Sequence, residues 1–228
     1  TEAQKEWVLS NLKKWGDYGW SIDNLIKEWS LDGLLYEENY PNSQTAADRI
    51  FLNQARFDGE TDKDCCNRIV DDFTDRIIGL APDLKKEILE IRTCYRNECY
   101  RAVISLLFPI LERKIINIVS EIDKNEKKKV GKSAVTKLKE LSSLDQRKID
   151  IFILSFQNLF SALEKHFEPG KNFTVESDFP SRNFVLHGLY NKPVSALDCV
   201  RLYLVLSDFL EFTNNRIVKE AIAQSTMA

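Results

Sequence analysis

Between Leu84 and Ile122, the apolar residues of this chain recur at steps of three and four. This spacing places them on one face of an α-helix, in which successive residues turn by about 100°. The stretch predicts either one helix of roughly forty residues or two collinear helices with a kink at Pro109. The residues that form the apolar stripe are Leu84, Ile88, Ile91, Tyr95, Cys99, Ala102, Leu106, Ile110, Leu111, Ile115, Ile118 and Ile122.

The same periodicity elsewhere predicts that the whole chain is all-α. Further helices are expected over Glu2–Trp15, from Thr45 to about Phe57, from the end of the stretch Gly59–Asp64 to Gly79, over Ser133–Leu141, from Asp145 to Phe167 and from Val194 to Ala223. Gly79 and Pro82 end the helix that precedes them and predict that the chain has two parts. These are a helical N-terminal region over residues 1–80 and a helical bundle over residues 83–228. The four tryptophans at positions 7, 15, 20 and 29 are expected to form a small core in the first part, with a partner-docking surface as the alternative.

Composition narrows the class of protein. The chain has 228 residues, of which 43% are hydrophobic and 29% charged, as in a globular domain rather than a disordered one. Its longest strongly apolar run, Leu202–Leu206, is far shorter than the ~20 residues of a membrane span. The polar start predicts no signal peptide, and together these features predict a cytoplasmic protein that does not enter membranes.

Charge is unevenly distributed. Residues 1–80 hold nine basic and sixteen acidic side chains, whereas residues 81–228 hold twenty-three basic and nineteen acidic ones. The net charge of −3 therefore conceals a mildly basic C-terminal part, which permits a phosphate-bearing partner there.

The cysteines and histidines do not form a metal motif. The five cysteines include no C-x2-C pair, and the chain has only two histidines. We expect reduced, mostly buried thiols and no cofactor.

The stretch "FPSRNFVLHG", residues 179–188, places Arg182 and His187 five positions apart. Histidine exchanges protons near neutral pH, and arginine matches phosphate oxygens with a forked set of donors. RNA supplies its own nucleophile in the ribose 2′-OH, so this pair of residue types suits RNA cleavage.

The spacing also sets a geometric condition. Five residues of regular helix turn by roughly 500°, which leaves the two side chains about 140° apart. They converge only if Arg182 lies at or before the start of a helix. Pro180 and Ser181 favour such a start, because proline disfavours helix before it and serine is a good N-cap. The alternative is a surface ion pair made by Arg182 and an ordinary histidine at a helix end.

The string "RNFVLHG", after a loop and before a final apolar helix, resembles the R-x4-6-H motif of HEPN-domain proteins. The upstream segment "EIRTCYRNECYRAVISLLFPILERKI" is similar to the first long helix of that family. The resemblance covers about residues 83–220.

This resemblance implies a HEPN-like up-and-down helical bundle that dimerises and so brings two motifs into one composite cleft. It further implies a metal-independent endoribonuclease acting on RNA, with His187 as general acid and base, Arg182 as the phosphate-binding group and Asn183 as the residue that orients substrate or histidine. Such domains occur in abortive-infection, toxin–antitoxin and phage-defence systems, so an antitoxin or other regulatory protein is an expected partner. The alternative is a non-catalytic HEPN-like interaction or ligand-binding module.

Other residues have two interpretations each. Glu112 could approach the motif across the bundle or lie in a solvated ion pair. Tyr95 and Tyr100 could stack on a base, although Tyr95 lies on the apolar stripe and is expected to pack. The seven lysines between Lys124 and Lys139 could attract RNA or form a solvated loop. His166 is expected at the surface.

Overall fold

The computed structural model describes residues 2–22, 41–122, 130–142, 156, 158–168, 176–215 and 219, and all regular elements among them are helices. The predicted all-α class is therefore confirmed, while the HEPN-like order of packing stays a prediction. We label the helices α1 (Glu2–Asp17), α2 (Gln44–Ala55), α3 (Asp62–Leu80), α4 (Lys85–Arg96), α5 (Tyr100–Ile122), α6 (Lys132–Ser142), α7 (residues 158–166), α8 (Arg182–Leu186) and α9 (Ala196–Asn214), with a 3₁₀ turn at Pro82–Leu84.

Helix α9 lies at the centre of the fold. It begins with a capping box, in which Ser195 and Asp198 each accept a hydrogen bond from the backbone N–H of the other. All residues from Cys199 to Leu210 are buried, on every side of the helix. A helix that is buried on every side is stable only when other elements surround it. Helices α3 and α5 pack directly against α9, and α4 packs against both of them.

One hydrophobic core includes residues from both predicted parts of the chain. Ile69 and Phe73 of α3 belong to the same buried cluster as Leu107 of α5 and Tyr203 of α9. The proposed division near residues 80–83 stays a prediction of domain organisation, but the packing does not stop there.

The long apolar stripe is divided at a different place from the one predicted. Helix α4 ends at Arg96 and α5 begins at Tyr100, whereas Pro109 lies inside α5. Glu98 adopts a left-handed conformation with φ 58°, and the N–H of Cys99 donates to the carbonyl of Cys94 at 2.9 Å. This bond closes the end of α4 in the manner of a helix C-cap. The sequence pattern did not reveal this break, because both helices turn their apolar sides to the same core and the stripe continues across it.

The N-terminal segment is bound to the bundle through its backbone. Asn158 of α7 is fully buried, and its amide donates to the carbonyls of Leu12 at 2.7 Å and Trp20 at 2.9 Å. Its side-chain oxygen accepts from the N–H of Ile22 at 2.6 Å. A single side chain therefore satisfies three backbone groups that burial would otherwise leave unpaired.

His166 is buried rather than exposed, which corrects the prediction. Its side chain is 2% exposed and lies against the rings of Phe108 and Phe179. Its Nε2 lies 3.0 Å from the carbonyl oxygen of Gly19, to which it donates. Burial, together with the positive charge of Arg201, lowers the pKa of His166 to about 3. The prediction failed because the partner of His166 lies 147 positions away, out of reach of any local pattern.

Arg201 of α9 is a buried cation that joins three parts of the chain. Its guanidinium donates to Asp48 at 2.6 Å and to Asp198 at 2.8 Å. Its charge also faces the rings of Trp20 at 4.8 Å and Phe179 at 5.0 Å. Two carboxylates and two aromatic rings thus replace the water that this cation loses on folding.

The small core that was predicted from the tryptophans of the first part is found only in part. Trp15 and Trp20 are fully buried in the common core, and Trp7 is 43% exposed. Several of the predictions concern segments that lie outside or almost wholly outside the described residues. These segments are Trp29, residues 30–40, Lys124 to Lys129, the start of the predicted helix at Asp145 and residues 216–223. Of the helices that are described, none is long and apolar enough to cross a membrane.

We expect acid to destabilise the fold through His166. Its pKa is lowered in the folded chain, so the unfolded chain binds one more proton between about pH 6.5 and pH 3, and stability is lost as the pH falls through that window. This single group should remove about 2 kcal/mol of unfolding free energy between pH 7 and pH 5. Urea denaturation at several pH values measures the slope.

The control is His166→Gln, whose amide can still donate to the carbonyl of Gly19 but does not titrate. This variant should show a flatter dependence between pH 7 and pH 5. Equal slopes in the two proteins would assign the proton uptake to another group.

Candidate functional site

The motif forms a helix of five residues, α8, which begins at Arg182. Ser181 occupies the N-cap position with extended backbone angles, as predicted, but its hydroxyl makes no capping hydrogen bond. Phe184 and Val185 are buried and hold α8 against the bundle, where it packs on α5. The prediction that Arg182 lies at the start of a helix is therefore correct.

A tight turn directly after the motif histidine ends α8. Gly188 has φ 68°, a left-handed conformation that glycine adopts without steric cost. The N–H groups of Leu189 and Tyr190 both donate to the carbonyl of Phe184, at 2.8 and 3.1 Å. Arg101 of α5 then donates to the carbonyl of Tyr190 at 2.7 Å. These bonds fix the position of His187 between α8 and a second contact with α5.

Arg182 forms an ion pair with Glu112 of α5. Its Nε and one terminal nitrogen donate to the same carboxylate oxygen, at 3.2 and 2.7 Å. The other carboxylate oxygen accepts from the backbone N–H of Gly131 at 2.8 Å. The side chains of Arg182 and Glu112 are 19% and 12% exposed, so water screens this pair only partly.

Asn183 is the second residue that binds the guanidinium of Arg182. Its side-chain oxygen accepts from the second terminal nitrogen of Arg182 at 3.0 Å, and its amide donates to the carbonyl of Glu168 at 3.3 Å. Within the described part of the chain, Glu112 and Asn183 accept from three of the five N–H groups of Arg182. The guanidinium is thus held in one orientation and keeps donors for a further acceptor.

His187 lies at the opposite end of α8 from Arg182. It is the C-cap residue, and its side chain is exposed. The structure therefore joins Arg182 and Asn183 through a direct hydrogen bond and places His187 about one turn further along the chain, facing solvent. An exposed imidazole can exchange protons with a substrate, and a fixed guanidinium can bind an anion.

Glu112 is the residue whose importance the sequence did not establish. The sequence left open whether it approaches the motif, and the structure shows that it does. It lies 70 positions from Arg182, so no spacing rule connects the two. The only available signal was a carboxylate among the apolar residues of α5. Even this signal is ambiguous, because such a residue pairs equally well with a nearby lysine.

The remaining candidates belong to the core or to its edge. Tyr95 is 1% exposed, which confirms that it packs rather than stacks on a ligand, and Tyr100 is partly buried. Burial raises the pKa of the Cys65 thiol to about 11 and that of the Cys66 thiol to about 12, so neither supplies a thiolate near neutral pH. Cys99, in contrast to the other thiols, is exposed.

Two further findings bear on the chemistry. No cluster of histidine, cysteine, aspartate or glutamate among the described residues could hold a metal ion. Comparison of the chain with protein-family models, curated proteins and solved structures gives no match. The HEPN resemblance therefore rests on the quoted motif and helix segment alone.

We expect Arg182→Ala to destabilise the protein. The change leaves the Glu112 carboxylate mostly buried without its cation, so the unfolding free energy should fall by about 1–3 kcal/mol. A double-mutant cycle with Glu112→Ala should give a coupling energy of about 1–2 kcal/mol by urea denaturation.

Arg113 and Glu87 provide the matched control, because Arg113 follows Glu112 in α5 and forms an exposed ion pair with Glu87 of α4. Their side chains are 50% and 43% exposed, and their coupling energy should stay below about 1 kcal/mol. Equal coupling in the two pairs would show that burial does not strengthen the Arg182 contact.

Proposed function

We propose that the chain is a metal-independent endoribonuclease of HEPN type. The observation that supports this function is an exposed His187 at the end of a short helix whose first residue, Arg182, is held in one orientation by Glu112 and Asn183. The proposal combines this geometry with the resemblance of residues 182–188 to the R-x4-6-H motif.

In this function the RNA provides the nucleophile. The ribose 2′-oxygen forms a bond to the adjacent phosphorus while the bond from phosphorus to the 5′-oxygen breaks. His187 accepts the proton of the 2′-OH, and an imidazolium supplies a proton to the departing 5′-oxygen. The products are a 2′,3′-cyclic phosphate and a 5′-hydroxyl. A dimer would provide two histidines, one for each transfer.

Arg182 is proposed to bind the phosphate through the N–H groups that Glu112 and Asn183 do not use. Because Glu112 neutralises part of its charge, Arg182 would contribute mainly through directed hydrogen bonds in a fixed geometry. Such preorganisation avoids the cost of orienting the side chain during the reaction. Asn183 would act by fixing the guanidinium.

The wider role is also a proposal. We place the enzyme in bacterial stress or phage defence, in the cytoplasm, as a homodimer with a composite cleft and under the control of an antitoxin or another regulatory protein. The mildly basic charge of residues 81–228 is consistent with an RNA substrate.

The direct test is RNA cleavage by the purified protein in the presence of EDTA. We expect cleavage to leave a 2′,3′-cyclic phosphate and to fall by about 10²-fold or more in His187→Ala. The side chain of His187 is exposed, so this change should leave the protein folded, with a cooperative melting transition. Asp178→Ala, an exposed change in the loop before the motif, is the matched control and should keep full activity.

Two results would contradict the proposal. One is cleavage that EDTA abolishes, because it would require a metal ion. The other is a rate that His187→Ala leaves unchanged, because the proposed proton transfers depend on this imidazole.

A second function is favoured by the Arg182–Glu112 ion pair itself. Since this pair is mostly buried and ties α8 to α5, Arg182 could serve the fold alone, in a non-catalytic interaction or ligand-binding module. That function predicts that overexpression of the wild type and of His187→Ala affects bacterial growth equally. A toxic wild type beside a harmless His187→Ala protein, expressed to the same level, would exclude it.

A further inference from the structure

Phe179 lies three positions before Arg182, and distant parts of the chain fix its ring. The side chain is 2% exposed. The ring of His166 meets it edge-on at 5.1 Å, and the guanidinium of Arg201 lies 5.0 Å from its centre. On another side it touches the backbone of Gly19, where an added β-carbon would lie 2.7 Å from its Cζ.

Gly19 is itself firmly held. Its carbonyl accepts from His166 at 3.0 Å, and its N–H donates to the carbonyl of Gly16 at 2.8 Å. Its φ of 74° permits the tight turn that follows α1. We call residues 18–22 the N-terminal support.

The connection from Phe179 to the motif is short. Only Pro180 and Ser181 separate Phe179 from Arg182, and both are buried. The proline ring fixes one backbone angle, and Ser181 has extended angles at the N-cap of α8. Because few freely rotating bonds lie between the two residues, a displacement of the Phe179 ring also displaces Arg182.

We propose that the N-terminal support positions the motif, with Gly19 acting on Arg182 through Phe179. In this arrangement the N-terminal segment is a component of the site rather than a separate module. The effect on the orientation of Arg182 is independent of any activity, whereas the effect on RNA cleavage rests on the proposed function. Gly19, Phe179 and His166 are positioning residues and do not touch the substrate.

The test is Gly19→Ala, followed by NMR of the Nε–H group of Arg182, whose signal is assigned by its loss in Arg182→Lys. The added methyl group displaces the ring of Phe179. We therefore expect the Arg182 signal to shift or broaden at temperatures at which the variant is still folded. If the protein cleaves RNA, kcat should fall roughly tenfold while KM changes less than about twofold, because the guanidinium is misplaced but still present.

Gly59→Ala is the matched control. Gly59 also has a positive φ, 79°, but an added β-carbon there would meet no atom within 4 Å. This variant carries the same backbone strain as Gly19→Ala and should leave the Arg182 signal and kcat unchanged. If both variants changed the signal equally, general destabilisation would explain the effect and the proposal would fail.

A second variant covers the case in which Gly19→Ala does not fold. Phe179→Leu keeps the loop apolar but removes the ring that His166 and Arg201 hold, and it should shift the Arg182 signal in the same way. An unchanged signal in folded Phe179→Leu would overturn the proposal. If the wild type does not cleave RNA, the ribonuclease assignment fails by itself, and the NMR arm still decides whether the support positions Arg182.

Discussion

The buried charge of Arg201 is the interaction on which the arrangement of the other elements depends. A cation inside a helix that is buried on every side is tolerated only when counter-charges and polarisable rings replace its hydration. The structure recruits Asp48 from α2, Asp198 from α9 itself and the rings of Trp20 and Phe179. Because these groups come from separate stretches of sequence, the solvation of one side chain requires that the N-terminal segment, α9 and the loop before the motif fold together.

Local pattern predicted most helices, since periodic apolar residues report which face of a helix is buried. The position of Arg182 at the start of α8 was likewise within reach of sequence reasoning. The break at Glu98 was not, because it depends on a left-handed residue with no glycine to mark it. The burial of His166 and the Arg182–Glu112 pair were also out of reach, since both depend on partners that only the tertiary fold brings close.

The candidate site shows how one contact can serve stability and chemistry together. Glu112 fixes the guanidinium that is proposed to bind phosphate, and it also accepts from the backbone at Gly131, so it joins α5, α8 and the start of α6. Loss of function in a variant of Arg182 would for this reason not distinguish a catalytic residue from a structural one. His187 is the informative position, because it is exposed and its side chain is not part of the core.

The central position of α9 also determines when the fold can form. During synthesis, residues 2–142 leave the ribosome before α9 exists, although α3 and α5 use α9 as a principal packing surface. The backbone carbonyls of Leu12 and Trp20 also depend on a distant partner, because Asn158 follows them by 146 and 138 positions. Such non-local contacts cannot form early, and the surfaces of α3 and α5 that pack on α9 stay uncovered until residue 210 has emerged. The contacts among α3, α4 and α5 can therefore form first, and the arrival of α9 completes the core last.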